Sequence, residues 1–82
     1  MWREETNKLC RIFRFRNFTD AFSFMTSVAL IAEKMDHHPV WKNSYNIVEI
    51  ELTTHDAGNG ITDKDRSLAK AIDQISMKYE IQ

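Results

Sequence analysis

The strongest pattern in this sequence is one amphipathic helix, which ends shortly before the only proline. Thr19 fits the helix N-cap, and Asp20 lies in the first turn, where the helix dipole favours a negative charge. Pro39 disfavours helical geometry at His38 and lacks a backbone donor, so the helix has to end before it. The pattern predicts a helix over residues 20–35, whose apolar stripe is formed by Phe22, Met25, Val28, Ala29, Ala32 and Met35.

The segment before this helix predicts a β-hairpin. Residues 8–16 alternate loosely between apolar and polar side chains, as a strand with one buried face does. Residues 5–8 form a polar cluster that is typical of a turn, so we expect residues 1–5 to pair with residues 8–16. The predicted apolar face of the longer strand holds Leu9, Phe13 and Phe15.

The segment after the helix predicts two further strands and a second helix. Residues 41–46 are mostly polar and indicate a short strand or a turn. Residues 47–54 alternate cleanly, which predicts an antiparallel strand that turns Val48, Ile50 and Leu52 inward. Thr62 and Asp65 resemble a capping box, with aspartate in the place of the usual glutamate. A last helix is predicted over residues 63–79, with a stripe formed by Leu68, Ile72, Ile75 and Tyr79.

These elements predict an α+β fold in the order β-β-α-β-β-α. Two one-faced helices can pack on one face of a four-stranded antiparallel sheet, so that the two layers bury each other's apolar sides. The chain has 82 residues and no linker or repeat, which indicates a single domain over residues 1–82.

Composition excludes several classes of function. The formal net charge is −1, which argues against a general binder of nucleic acid or of membrane surfaces. Cys10 is the only cysteine, so the chain has no internal disulfide and no zinc–thiolate cluster. We find no signal peptide and no apolar stretch of membrane-spanning length, and we therefore expect a cytoplasmic protein.

The three histidines all lie where a regular element ends. His37 and His38 follow the first predicted helix, and His55 follows the fourth predicted strand. A single histidine near a helix C-terminus is usually a surface residue that interacts favourably with the helix dipole. Imidazole, however, is the side chain that both gives and takes a proton near neutral pH, and three of them at element ends indicate a site.

Carboxylates and aromatic residues surround these histidines in the sequence. Glu33 and Asp36 are three residues apart in the predicted last helical turn, and we expect them to share a face near His37. Trp41 is by default a core residue, but with Tyr45 it could form a flat apolar wall. Together these residue types predict a pocket for a planar, polar heterocycle that is handled by proton transfer. Asp63 and Asp65 are expected to serve the N-terminus of the last helix rather than a metal.

The sequence resembles a known family, the pterin-4a-carbinolamine dehydratases. The resemblance extends from Trp2 into the last helix, and its most specific part is a His-His-Pro-x-Trp segment followed by Tyr-Asn and Thr-His at matching spacing. The residues that carry it are Glu33 through Pro39, Trp41, Asn43, Tyr45, Asn46, Val48, Ile50, Leu52, Thr54, His55, Gly58 and Thr62 through Asp65.

The resemblance implies a hydro-lyase that converts 4a-hydroxytetrahydrobiopterin into quinonoid dihydrobiopterin during pterin recycling. It implies that His37, His38 and His55 are the catalytic residues. We expect His37 and His55 to form the acid/base pair and His38 to bind and orient the pterin, without a metal or an organic cofactor. The residues expected to bind or surround the substrate are Asp36, Trp41, Glu33, Thr54 and Asp56.

The resemblance also implies partners and two departures. Family members form homodimers or homotetramers, and animal members assist a homeodomain transcription factor, which would place them in the nucleus as well. The family's usual first helix is not found ahead of Met1-Trp2, so either the chain is truncated or this member does without that helix. The loop over residues 55–62 looks one residue longer than the common form.

Two other functions compete with the dehydratase. A non-catalytic dimerisation or transcription-cofactor module could keep the same fold, although retention of all three histidines argues against it. A three-histidine metal site is disfavoured, because the adjacent His37 and His38 would rarely aim at one point.

Overall fold

The computed structural model, which describes residues 1–55, 58 and 60–82, has the predicted α+β architecture. A four-stranded antiparallel sheet carries two helices, in the predicted order. The elements are β1 (Arg3–Glu5), β2 (Lys8–Arg14), α1 (Phe18–Met35), β3 (Val40–Ser44), β4 (Ile47–Leu52) and α2 (Asp63–Ser76).

The sheet has the order β1-β2-β4-β3, so β2 and β4 form its centre. Phe13 lies opposite Val48 in the antiparallel β2–β4 pair. The predicted hairpin of β1 and β2 is confirmed. Its two turn residues, Thr6 and Asn7, have φ angles of 37° and 66°, the positive values that a two-residue hairpin turn requires.

The core lies between the inner face of β2 and β4 and the two helices. Phe24 of α1 places its ring 4.9 Å from the ring of Phe13 and 4.7 Å from that of Phe15, centroid to centroid. The strands contribute the alternating inward residues that the sequence predicts, and α2 contributes Leu68, Ala69 and Ile72. This packed layer fixes where the C-terminal end of α1 and the N-terminal end of α2 meet the sheet.

The start of α1 differs from the prediction. The helix begins at Phe18, and its N-cap is Asn17 rather than Thr19. The Asn17 side chain accepts a hydrogen bond of 2.8 Å from the backbone N–H of Asp20. Asparagine and threonine are both good N-caps, and their positions two residues apart left the sequence ambiguous.

The buried stripe of α1 also differs from the prediction. It is formed by Ala21, Phe24, Val28 and Ala32, whereas Phe22 is 54% exposed. Ala29 and Met35, also predicted to face the core, are exposed. The small residues Ala21 and Ala32 let the helix lie close to its neighbours, and Phe24 fills the space beside the β2 aromatics.

β2, β4 and α2 begin where predicted but end two or three residues early. β2 ends at Arg14, β4 at Leu52 and α2 at Ser76, each shorter than predicted. Tyr79, beyond the end of α2, still packs its ring edge-on against Phe15. Within the described part of the chain, neither helix combines the length and the apolar character that crossing a membrane requires.

Candidate active site

The end of α1 turns the two adjacent histidines in different directions. Asp36 adopts a left-handed conformation, with φ 53° and ψ 42°, which aspartate tolerates better than most residues. The backbone N–H of His37 then bonds to the carbonyl of Ala32 at 3.1 Å, which closes the helix. As a result His37 is buried and His38 is exposed.

His37 is bound to a carboxylate that the sequence did not assign to it. Its Nε2 lies 2.6 Å from Oδ1 of Asp65, in the first turn of α2. Asp65 is fully buried, at 0% exposure. Its other oxygen accepts hydrogen bonds from the hydroxyl of Thr54 at 2.7 Å and from the backbone N–H of Thr62 at 2.9 Å. Asp65 therefore joins the end of α1, the segment after β4 and the start of α2.

These contacts determine the charge of Asp65 and which ring nitrogen of His37 donates to it. Burial raises the pKa of Asp65, but the hydrogen bonds from Thr54, His37 and Thr62 outweigh it, so the pKa lies below its usual range. An ionised carboxylate only accepts hydrogen bonds, and Nε2 of His37 must therefore carry the proton between them. Nδ1 is then the ring nitrogen left for a proton transfer.

His38 forms a similar pair on the surface. Its Nε2 lies 2.8 Å from Oε1 of Glu33, and the side chains are 56% and 80% exposed, respectively. Glu33 therefore contacts His38, not His37 as its position in the sequence suggested. Asp36, which was expected in the last helical turn, is instead the left-handed residue that ends the helix.

The three histidines line one open pocket of about 350 Å³. Asp36 and Thr54 from the predicted set also line it, between the end of α1 and the segment that follows β4. The structure thus brings together His37, His38 and His55, which are separated by up to 18 positions in the sequence.

Three predicted residues lie elsewhere. Trp41 packs against the core from β3, opposite Ile50, and Tyr45 lies exposed in the turn between β3 and β4; neither is among the described residues that line the pocket. Glu33 reaches the site through His38. Asp56, and with it part of the 55–62 loop, falls outside the described residues.

Two residues of the site were missed by the sequence reasoning. The capping-box pattern accounts for Asp65 completely, and that capping box is confirmed, so nothing local pointed to a second bond 28 positions away. Lys64 lines the pocket from the first turn of α2. Its position between Asp63 and Asp65, in the segment that carries the resemblance, was the one available signal.

Known proteins align with this chain over most of its length. The family model described as pterin 4 alpha carbinolamine dehydratase matches residues 1–75. A protein of Afipia carboxidovorans, provisionally named pterin-4-alpha-carbinolamine dehydratase, is 52% identical over 82 residues, which cover 98% of this chain and 81% of the relative. A Prochlorococcus marinus (strain MIT 9303) protein with the same provisional name is 57% identical over 74 residues, covering 90% of this chain and 76% of its own length.

Two solved structures share the fold. The crystal structure of a transcriptional coactivator/pterin dehydratase from Brucella melitensis superimposes with a TM-score of 0.85 at 42% identity, covering 90% of this chain and 80% of that one. A pterin dehydratase-like protein, described as a RuBisCO assembly factor in the alpha-carboxysome, gives a TM-score of 0.79 at 22% identity, covering 92% and 88%. At that identity the second likeness supports the fold alone.

Proposed function

The chain belongs to the pterin 4 alpha carbinolamine dehydratase family, and we propose that it dehydrates 4a-hydroxytetrahydrobiopterin to quinonoid dihydrobiopterin. The observation that carries this proposal is the meeting of three imidazoles in one pocket, where carboxylates orient His37 and His38. Such an arrangement suits a substrate that must gain one proton and lose another in the same reaction.

The proposed reaction is an elimination of water. The bond between C4a and the hydroxyl oxygen breaks, and an acid protonates the departing oxygen so that it leaves as water. N5 loses its proton to a base, and its electrons form the new double bond to C4a. No electron enters or leaves, so the reaction needs no redox cofactor. We propose that imidazoles supply both the acid and the base, and that this protein uses no metal.

We propose that one of His37 and His55 gives the proton to the departing oxygen and that the other takes the proton from N5. With Nε2–H donated to Asp65, Nδ1 of His37 can accept a proton from the substrate, and the buried carboxylate then stabilises the imidazolium. A positioned acid or base of this kind typically accelerates a reaction by about 10²–10⁴-fold. His38, held by Glu33, binds and orients the pterin.

The proposed substrate-binding residues act in different ways. The carboxylate of Asp36 lines the pocket and can accept hydrogen bonds from the 2-amino group and N3–H of the pterin ring. The hydroxyl of Thr54 already donates to Asp65, so Thr54 acts by holding that carboxylate under His37. Trp41 and Asp56 stay in the proposed set on the family resemblance alone.

The test is to follow the dehydration of freshly made 4a-hydroxytetrahydrobiopterin by its ultraviolet absorbance, for the wild type and for His55→Ala. We expect the wild type to exceed the buffer rate and His55→Ala to lose about 10²-fold or more of that acceleration. A wild-type rate equal to that of buffer would refute the dehydratase. A fully active His55→Ala would leave the activity standing but remove His55 from the proposed pair.

We also propose that the protein is a cytoplasmic homodimer or homotetramer. Phe18, Phe22 and Leu30 expose large apolar side chains along α1, which supports association. Light scattering of the purified protein would measure its mass in solution, and a monomer at micromolar concentration would contradict the proposal.

A non-catalytic dimerisation or transcription-cofactor module remains the second candidate. The observation that favours it is the Brucella relative, whose name couples a transcriptional coactivator with a pterin dehydratase. The dehydration assay separates the two candidates, because the module alone would give no acceleration.

A further inference from the structure

Among the described residues that line the histidine pocket, Lys64 is the single lysine, and there is no arginine. Lysine ammonium groups carry a positive charge at neutral pH. None of the ion pairs within the described part of the chain involves Lys64, although six other lysines and arginines form one: Arg3, Lys8, Arg11, Arg16, Lys42 and Arg66. Its charge is therefore available to a molecule in the pocket.

The local structure does not explain a lysine at this position. The first turn of a helix favours negative charge and disfavours a cation. Asp63 is the adjacent residue, and helix side chains one position apart do not face each other. Asp65 has both of its oxygens occupied by His37, Thr54 and Thr62. A residue that opposes the local preference at a pocket wall is more readily explained by what the pocket binds.

The ammonium, rather than the helix end, supplies the positive charge at this wall. The side chain of Thr62 accepts from the backbone N–H of Lys64, and the backbone N–H of Asp65 bonds to the carbonyl of Thr62. These two backbone N–H groups at the start of α2 are therefore already bonded to Thr62 and do not point to a ligand. Asp36 contributes the opposite charge to the same pocket.

We propose that Lys64 binds an anionic substituent on the side chain of the reduced pterin, a phosphate or a carboxylate, and so makes the enzyme prefer anionic pterins over neutral ones. The proposal rests on the proposed dehydratase function and deepens it by naming a substrate class. The pterin ring is neutral, and its 2-amino group and N3–H are the groups that would bond to Asp36. The positive charge of Lys64 therefore matches a negatively charged group outside the ring. Charge-assisted hydrogen bonds to phosphate or carboxylate are roughly twice as strong as neutral ones.

Equilibrium binding tests this without requiring turnover. The probes are 6-hydroxymethyl-7,8-dihydropterin, its phosphate monoester and 7,8-dihydropterin-6-carboxylate, titrated by calorimetry into the wild type, Lys64→Met and Lys64→Arg. Lys70→Met is the matched control, because Lys70 is an exposed lysine of the same helix that does not line this pocket. We expect the wild type and Lys70→Met to bind one anionic probe about tenfold more tightly than the neutral one. Lys64→Met should lose that preference, and Lys64→Arg should keep most of it.

The two anionic probes distinguish the source of the charge, since the one that is preferred identifies phosphate or carboxylate. The preference should also shrink as salt is raised, because an open pocket is screened. Equal affinity of the wild type for all three probes, or an unchanged preference in Lys64→Met, would overturn the proposal.

Turnover of the corresponding 4a-hydroxy pterins separates this inference from the proposed function. A wild type that dehydrates neutral and anionic pterins with equal kcat/KM keeps the dehydratase and refutes the role of Lys64. A wild type that binds the anionic probes through Lys64 but accelerates no dehydration supports the anionic-pterin site and refutes the dehydratase. A kcat/KM ratio that favours the anionic pterin and falls about tenfold in Lys64→Met supports both.

Discussion

His37 and His38 are adjacent in the chain, and each pairs its Nε2 with a carboxylate, yet their surroundings are opposite. The His37–Asp65 pair, at 2.6 Å, is buried, and Asp65 is also held by Thr54 and Thr62. The His38–Glu33 pair, at 2.8 Å, is open to solvent, and it joins the last turn of α1 to a residue just beyond the end of that helix. The left-handed Asp36 produces this difference, because it ends the helix with one histidine inside and the next outside.

The comparison shows that similar distances carry different energetic weight. An exposed ion pair contributes about 0–1 kcal/mol, because water and salt screen it. Removing one partner of a buried, hydrogen-bonded pair costs about 3–5 kcal/mol, because the remaining polar groups lose both water and partner. We therefore expect the inner pair to control stability and proton transfer, and the outer pair to adjust substrate orientation.

The largest expected difference is in the rate of dehydration. His37→Gln should lower kcat by about 10²–10⁴-fold, as the loss of a general acid or base does. His38→Gln should lower kcat/KM by only about three- to tenfold, the value of one hydrogen bond to the substrate. Steady-state kinetics of both variants, with circular dichroism as a check on folding, makes the comparison.

Equal losses of kcat in the two variants would break the distinction between an inner proton carrier and an outer orienting residue. A larger loss in His38→Gln would exchange their roles.

The next largest effect is on stability. Asp65→Asn replaces two accepting oxygens by one oxygen and one amide donor, while three donors still point at the position. The amide nitrogen can bond to Nε2 of His37 only if that nitrogen gives up its proton, so the charge-assisted bond and the tautomer are lost. We expect the free energy of unfolding to fall by about 2–3 kcal/mol. Urea denaturation measures this.

Asp63→Asn is the matched control for that substitution. Asp63 lies in the same helical turn but is exposed, so its removal should cost less than about 1 kcal/mol, the value of a charge at a helix N-terminus. If the two variants lost equal stability, Asp65 would act only through the helix end and not through the buried pair with His37.

Much of the fold could be predicted because its signals are local. The alternation of Val48, Ile50 and Leu52 predicted β4, and Thr62 with Asp65 predicted the start of α2. The stripe of α1 was less well determined, since apolar residues surround much of that helix. Only the tertiary partners of Phe24 decide which face is buried.

The site was predicted in part for the same reason. The element ends placed His37, His38 and His55 together, and the structure brings them to one pocket. The partner of each histidine was not predictable from spacing. Asp65 is 28 positions from His37 and had a sufficient local role, and Glu33 reaches His38 only because the backbone reverses at Asp36.

The pH dependence of stability gives a smaller but more specific test of the inner pair. The folded-state pKa of Asp65 is lowered, so its ionised form adds stability above its unfolded pKa of about 4. That contribution is lost as the pH falls through the folded-state pKa. We expect the wild type to lose stability below about pH 4 more steeply than Asp65→Asn, whereas Asp63→Asn should follow the wild type. Parallel curves for wild type and Asp65→Asn would contradict the ionised, buried carboxylate.

The smallest expected effect is that of Glu33→Gln, which tests the outer pair. Glutamine keeps an oxygen that can accept from Nε2 of His38, and only the charge is removed. Because both side chains are exposed, the free energy of unfolding should change by less than about 0.5 kcal/mol. That difference should vanish in about 1 M salt, where the screening length is only about 3 Å. Urea denaturation of both proteins at low and high salt measures this, and a loss close to that of Asp65→Asn, or one that persists at high salt, would mean that solvent exposure does not set the difference between the two histidine–carboxylate pairs.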